Sequence, residues 1–333
     1  MNARHNIAAY VTLASLSLAS MACAKIFDWS GGQEGTGTSW NVSANWVAST
    51  NADSSTWKWA GLGGGFGQTL RSYASPVTAT MNAEFMMGNN STYDSTIEVE
   101  NGPPAIDLMV LKGILTSGNT GRVLYRKGTG TALFTQPSTY VNGNGANTLG
   151  WRFQAGRTLF NNITGSGVGK NPTQIDGGAT VGGNGFLGGD SAHPNFNMLV
   201  KGTSTSALAA IAPGSVDATT GDSLIGTLTV GSATRPNAVT FGTHSRLHVQ
   251  IGPGGTSDRL AVFGTLDLSA ASDGLVLAID ENAKTGSYTL VSATGGITGT
   301  FDVNNIAGHG KLVPSDTSLT FVIPPSGTLL FTQ

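Results

Sequence analysis

The chain has 333 residues, 17 basic against 19 acidic, and a net charge of −2 at pH 7. Charged residues make up 11%, against roughly 25% in ordinary globular domains, while hydrophobic residues reach 39% and glycine numbers 48. These values exclude a charge-rich disordered chain and a basic nucleic-acid-binding surface, and the Ser, Thr, Asn and Gly that remain suit short strands joined by many turns.

The chain opens on "MNARHNIAAYVTLASLSLASMACAK". Arg4 supplies a basic start, Ile7 to Ser20 a moderately apolar run, and Ala22-Cys23-Ala24 the small residues of a signal-peptidase site. Residues 1–24 are therefore expected to be a cleaved export signal, with the cut between Ala24 and Lys25 and a secreted or cell-surface destination. The apolar run is too short to span a bilayer core of about 30 Å, so no membrane span is expected in the mature chain. Cleavage would remove the single cysteine, leaving no thiol, disulfide or cysteine metal site. The alternative makes Cys23 a lipid anchor, but Ser20 stands where such anchors favour a bulky aliphatic residue.

Residues 25–75 are rich in Gly and Trp. Five of the six tryptophans stand here, at 29, 40, 46, 57 and 59. Two readings compete. Trp rings each bury roughly 200 Å² and can close the open end of a fold. Alternatively Trp40, Trp46, Trp57 and Trp59 form a carbohydrate-stacking face. Their spacing mixes odd and even positions and defines no single strand face, which favours the cap.

From residue 76 to 333 short alternating runs recur. In "STYDSTIEVENGPPAIDL" the carboxylates Asp94, Glu98, Glu100 and Asp107 gather. Glu98 and Glu100 alternate with Ile97 and Val99, which places them on one solvated face about 7 Å apart. A weak calcium site and an acid/base pair for polysaccharide cleavage are the other uses of such a group, with Arg122, Arg126 and Lys127 as the nearest basic candidates. Gly183, Gly185 and Gly188 spell GxGxxG, but a turn follows where a dinucleotide site needs a helix, so a corner is expected. "GSGVGKN" lacks the Ser or Thr a phosphate loop requires after its lysine, and neither GxSxG nor HExxH occurs. "SALAAIAPG", Ser206 to Gly214, is expected to form one helical turn stopped by Pro213 and Gly214.

In "THSRLHVQIG", Leu247, Val249 and Ile251 share one face while His244, Arg246, His248 and Gln250 share the other. Period two marks a half-buried strand. His244 and His248 would lie about 13 Å apart, too far to hold one ion. His193 and His309 sit in turns without an evident partner. "IGTLTVG", "NAVTFG", "DRLAVFGTLDLS" and "DGLVLAID" follow the same alternation, so the class is all-β. Between a sandwich and a solenoid, the glycine corners decide: "NGNGAN", "GSGVGKN" and "DGGATVGGNGFLGGD" supply a positive-φ turn at every coil. The expected fold is a right-handed parallel β-helix with a Trp-rich N-terminal cap.

Several stretches resemble bacterial secreted proteins with autotransporter-associated β-strand repeats. Trp29, Trp40, Asn45 and Trp46 of "FDWSGGQEGTGTSWNVSANW" match their N-terminal segment, and "LFNNITGSGVG" is similar to their recurrent Asn-Ile-x-Gly-Ser-Gly element. The closing element Asp-x-Leu-x-Val-x-Gly-x-Leu-x-Leu corresponds to Asp258 to Leu268. Neither the Pro-Glu-Pro sorting tail nor the translocator barrel that such chains often carry is expected here. The resemblance implies a secreted β-helix with surface or adhesive roles and no known reaction. The Ser, Thr, Asn and Gly faces without concentrated charge lead us to expect a non-enzymatic protein without cofactor, its partners extracellular glycans or matrix and surface proteins. A polysaccharide lyase or glycoside hydrolase on the same scaffold is the alternative.

Overall fold

The computed structural model describes residues 26–29, 46–47, 69–72, 79–81, 85–87, 95–99, 108–112, 114–117, 123–140, 148–188, 196–217, 223–270, 274–302 and 309–325. The expected leader and its cleavage site, Ala24 and Lys25, lie outside these residues. The strands begin with β1 (Ile26–Trp29), β2 (Trp46–Val47), β3 (Thr69–Ser72), β4 (Ala79–Met81), β5 (Phe85–Met87), β6 (Ser95–Val99), β7 (Leu108–Leu111) and β8 (Leu115–Ser117). Next come β9 (Leu124–Lys127), β10 (Thr131–Phe134), β11 (Trp151–Phe153), β12 (Gly156–Phe160), β13 (Thr173–Asp176), β14 (Ala179–Gly183), β15 (Phe186–Leu187), β16 (Asn197–Lys201) and β17 (Ala209–Pro213). A hairpin, β18 (Ser215–Val216) and β19 (Ser223–Leu224), precedes β20 (Thr227–Val230), β21 (Ala238–Phe241), β22 (Ser245–Ile251), β23 (Arg259–Val262), β24 (Leu266–Leu268), β25 (Leu275–Ile279) and β26 (Gly286–Ala293). The last are β27 (Ile297–Gly299), β28 (Lys311–Pro314) and β29 (Ser318–Ile323).

Three larger sheets collect these strands. Sheet 1 runs β2-β1-β3-β6-β9-β11-β13-β16-β21-β24-β27, sheet 2 runs β4-β7-β10-β12-β14-β17-β22-β25, and sheet 3 runs β15-β20-β23-β26-β29-β28. The chain visits sheet 1, sheet 2 and a third side in rotation; β5 and β8 pair in parallel on that third side early on. The fold is all-β with parallel sheets and is consistent with a β-solenoid-like arrangement.

Alternation explains the core. A strand points successive side chains to opposite faces, and parallel pairing stacks each inward residue on its counterpart in the next coil. One inward column of sheet 1 runs through Ile97, Arg126, Phe153, Ile175, Val200 and Phe241 by consecutive register pairs. All six are buried. The expected strand "THSRLHVQIG" has this form: Leu247, Val249 and Ile251 are buried, and Arg246, His248 and Gln250 are half-buried. His244 departs from it. With φ 57° it is a turn residue before β22, not a member of the strand face. The expected helical turn at Ser206–Gly214 is also absent; β17 occupies it, its Thr180, Val181 and Gly182 neighbours pairing with Ala210, Ile211 and Ala212. Two parallel neighbours, β14 and β22, override the weak helical preference of an alanine-rich run.

The glycine pattern Gly183, Gly185 and Gly188 is a corner around β15, as the following turn suggested. Gly183 has φ 115°, and a Cβ there would stand 2.1 Å from the carbonyl oxygen of Phe160. Only glycine fits this approach.

The "LFNNITGSG" element acts as a clamp between coils. Asn162 donates from Nδ2 to the carbonyls of Thr164, Gly165 and Phe186 at 3.2, 3.0 and 3.0 Å. Asn161 donates to Ser215 Oγ at 2.7 Å and accepts from Asn184 N–H at 3.0 Å. Asn162→Ala should cost about 1–3 kcal/mol, because it removes a buried amide that holds three carbonyls of two neighbouring segments. Asn162→Asp should cost more, since a second acceptor would then face those carbonyls. Denaturant midpoints of the two variants check the order; a milder Asp variant would contradict the clamp.

The sheet ends differ from the parallel interior. β2 pairs antiparallel with β1, setting Trp46 opposite Trp29 at the outer edge of sheet 1. At the other end β29 and β28 add antiparallel strands beside β26. A cavity of about 400 Å³ lies there among Leu266, Ile297, Phe301, Leu312 and Leu319.

Candidate functional site

The outward columns of sheet 1 carry its polar chemistry. One passes through Thr96, Tyr125, Arg152, Gln174, Leu199 and Thr240. The register of the next places Glu98 beside Lys127. Farther along, Asp176 pairs with Lys201 in register. Opposite charges on adjacent strands favour this pairing over a slipped one.

The middle of the face is connected through side chains. Arg152 Nε donates to Asp176 Oδ2 at 2.6 Å, and Gln174 Nε2 donates to Asp176 Oδ1 at 2.6 Å. That hydrogen bond raises Arg152 above its ordinary value, burial opposing it, with further support from Tyr125. The Lys127 ammonium sits 5.2 Å from the Tyr125 ring centroid. The face thus offers an aromatic ring, an amide and paired charges, a set that hydrogen-bonds and stacks without presenting strong net charge.

The residues singled out in the sequence scatter. Trp40, Trp57 and Trp59 lie outside the described residues, and Trp46 is known here by its backbone pairing with Trp29. Asp94, Glu100, Asp107, Arg122 and His193 also lie outside them. Glu98 is half-buried on the outward face of β6, one strand step from Lys127. His309 is exposed.

Arg126 corrects the expectation most sharply. It was grouped with outer basic residues, but it shares the inward column and is fully buried. Its Nη1 donates to the carbonyls of Lys127 and Gly128, the latter at 3.1 Å, and its Nη2 to those of Gly130 and Arg157, the latter at 3.4 Å. Arg126 is a staple for the corner between β9 and β10, not part of an outer groove.

Tyr125, Arg152, Gln174 and Asp176 escaped sequence reading. Each is the polar member of an alternating run, "LYRK", "WRFQ" or "TQID", but their alignment requires the register. Among the described residues, no group of three His, Cys, Asp or Glu is placed to hold a metal ion. Nor is any helix there long and apolar enough to cross a membrane. No protein-family description matches the chain, and no curated protein matches it.

Proposed function

We propose that the protein is a secreted or cell-surface structural and adhesive β-helix that holds extracellular glycans without turning them over. The observation that carries this reading is the in-register outward column of Tyr125, Arg152 and Gln174 on sheet 1. A sugar face can stack on the tyrosine while its hydroxyls meet the amide and the Arg152–Asp176 pair. Parallel connections in one sheet are right-handed in about 98% of cases, which supports a right-handed helix. The antiparallel β2 supports an N-terminal cap, because it replaces a parallel edge with a closed strand pair. The likeness to secreted autotransporter-associated repeat proteins agrees with export and surface display.

The test is retention of the protein on immobilised neutral and acidic oligosaccharides, with product formation followed in parallel. Wild type should be retained, release no product, and lose roughly 2–10-fold in retention on Tyr125→Ala, in line with the ~0.5–1.5 kcal/mol of an aromatic contact. Release of shortened glycan would overturn the non-catalytic reading. Unchanged retention of Tyr125→Ala would remove the sheet 1 face from it.

A further inference from the structure

We propose that the outer face of sheet 2, between Arg157 and Arg246, binds an acidic polysaccharide through its carboxylates. The register places Arg157 beside Thr180, Thr180 beside Ala210, and Ala210 beside Arg246. The two arginines therefore root in one outward column three strand steps apart, roughly 14 Å at about 4.8 Å per step.

Neither guanidinium has a hydrogen bond or ion pair among the described residues, although both side chains are half-buried. The Nε of Arg246 is buried without an acceptor. Burial lowers Arg157 from its ordinary value, with Asp258 opposing the effect. A partly desolvated arginine is costly unless an anion meets it. This contrasts with sheet 1, where Arg152 already has Asp176 at 2.6 Å.

The residues between the arginines are small. The adjacent outward column changes from Leu133 and Leu159 to Gly182 and then Ala212. The apolar stretch is closed by Leu108, Val110, Leu133, Leu159 and Val216, the last from the hairpin strand β18. Beyond Leu159 the floor is made of Thr180, Gly182, Ala210 and Ala212.

The other titratable groups leave the site cationic. His248 follows Arg246 on the same face of β22; burial, then Arg246 and Arg157, hold it below its usual range, so it offers a neutral ring. Asp258 is the local carboxylate, but its oxygens accept from the backbone N–H groups of Gly226 and Gln250 at 2.9 and 3.0 Å. It anchors the end of the hairpin excursion, and burial raises it to about 6 against these bonds and Arg157.

The form of the ligand follows from what the face lacks and supplies. The floor residues Thr180, Gly182, Ala210 and Ala212 present no aromatic ring for nucleobase stacking. The interior strands of sheet 2 are paired on both sides, so a peptide cannot join them as a further strand. Two arginine forks fit repeated carboxylates, and Thr180 and the neutral imidazole fit hydroxyls. An extended uronate chain provides both. The inference concerns sheet 2 alone, whatever sheet 1 binds.

The experiment is calorimetric titration of the full chain with a uronic-acid oligosaccharide, its carboxyl-reduced neutral analogue, inorganic phosphate and a glutamate-rich peptide. Arg157→Gln and Arg246→Gln should each weaken uronate binding roughly tenfold or more, while Tyr125→Ala on sheet 1 leaves it unchanged. Without ligand, neither arginine variant should melt below wild type, because each removes a half-buried charge that no hydrogen bond or close ion pair among the described residues holds. A lower melting temperature would instead assign the arginines a structural role and overturn the proposal. Equal binding of the neutral analogue, of phosphate or of the peptide would overturn it too, as would uronate binding that survives both substitutions together. Loss on Tyr125→Ala alone would overturn this site while leaving the adhesive reading of sheet 1 intact.

Discussion

Trp151→Ala is expected to lower stability by about 3–5 kcal/mol, the range for deleting a large buried aromatic side chain. Trp151 is fully buried. Its ring stacks on Phe153 at 5.1 Å and meets Phe134, Phe160 and Tyr140 edge-on at 5.6, 6.0 and 6.4 Å. These partners come from β10, β11, β12 and the segment after β10, so the ring joins neighbouring coils. Removing it opens a cavity lined by rigid rings that cannot readily collapse. Trp151→Phe should behave differently. The indole Nε1 is buried with no hydrogen-bond partner, so replacing it removes an unsatisfied donor and offsets part of the lost volume. A clearly smaller loss is expected for Phe than for Ala, because a ring stays in place and the residual cavity is smaller. Long arrays need not unfold in one step, so the midpoint of the first denaturant transition is the measurement. Equal losses for Ala and Phe would contradict this account.

Arg126→Met is expected to cost about 3–5 kcal/mol, comparable to breaking a buried charged interaction. The guanidinium serves the carbonyls of Lys127, Gly128, Gly130 and Arg157, so its loss removes the contacts to four carbonyls at once. Arg126→Lys keeps the charge but not the planar fork and should recover less than half of the loss. Arg152→Met, on the partly exposed face of sheet 1, is the control. Its single pair with Asp176 has Arg152 38% exposed, and such pairs contribute about 0–1 kcal/mol. If the Arg126 and Arg152 variants melt alike, the corner staple is wrong.

Strand type was legible because alternation is local. Leu260, Val262, Leu266 and Leu268 are buried as the closing element "DRLAVFGTLDL" implies, and Gly264 turns the chain between β23 and β24 with φ 144°. The repeat length was not legible. Successive sheet 1 positions are separated by 22 residues from Phe153 to Ile175 but by 41 from Val200 to Phe241, where the β18–β19 hairpin intervenes. An excursion of that kind changes the step without changing the face, and no fixed period survives it.

The sequence by itself therefore determined an all-β chain of short strands, its inward and outward residues within each run, and the glycine corners between runs. Each rests on two or three consecutive residues and on the side-chain period of a strand. Only the tertiary structure decided which residues became neighbours. Alternation put Arg126 on the face of Leu124, but carbonyls from its own corner and from Arg157 in the next coil made its burial tolerable. Tyr125, Arg152 and Gln174 became one face, and Arg157 and Arg246 one column, through register alone. Parallel stacking at about 4.8 Å builds each column from residues one coil apart in the chain, and the hydrogen-bonded register that aligns them is a property of the stacked sheets rather than of any single strand.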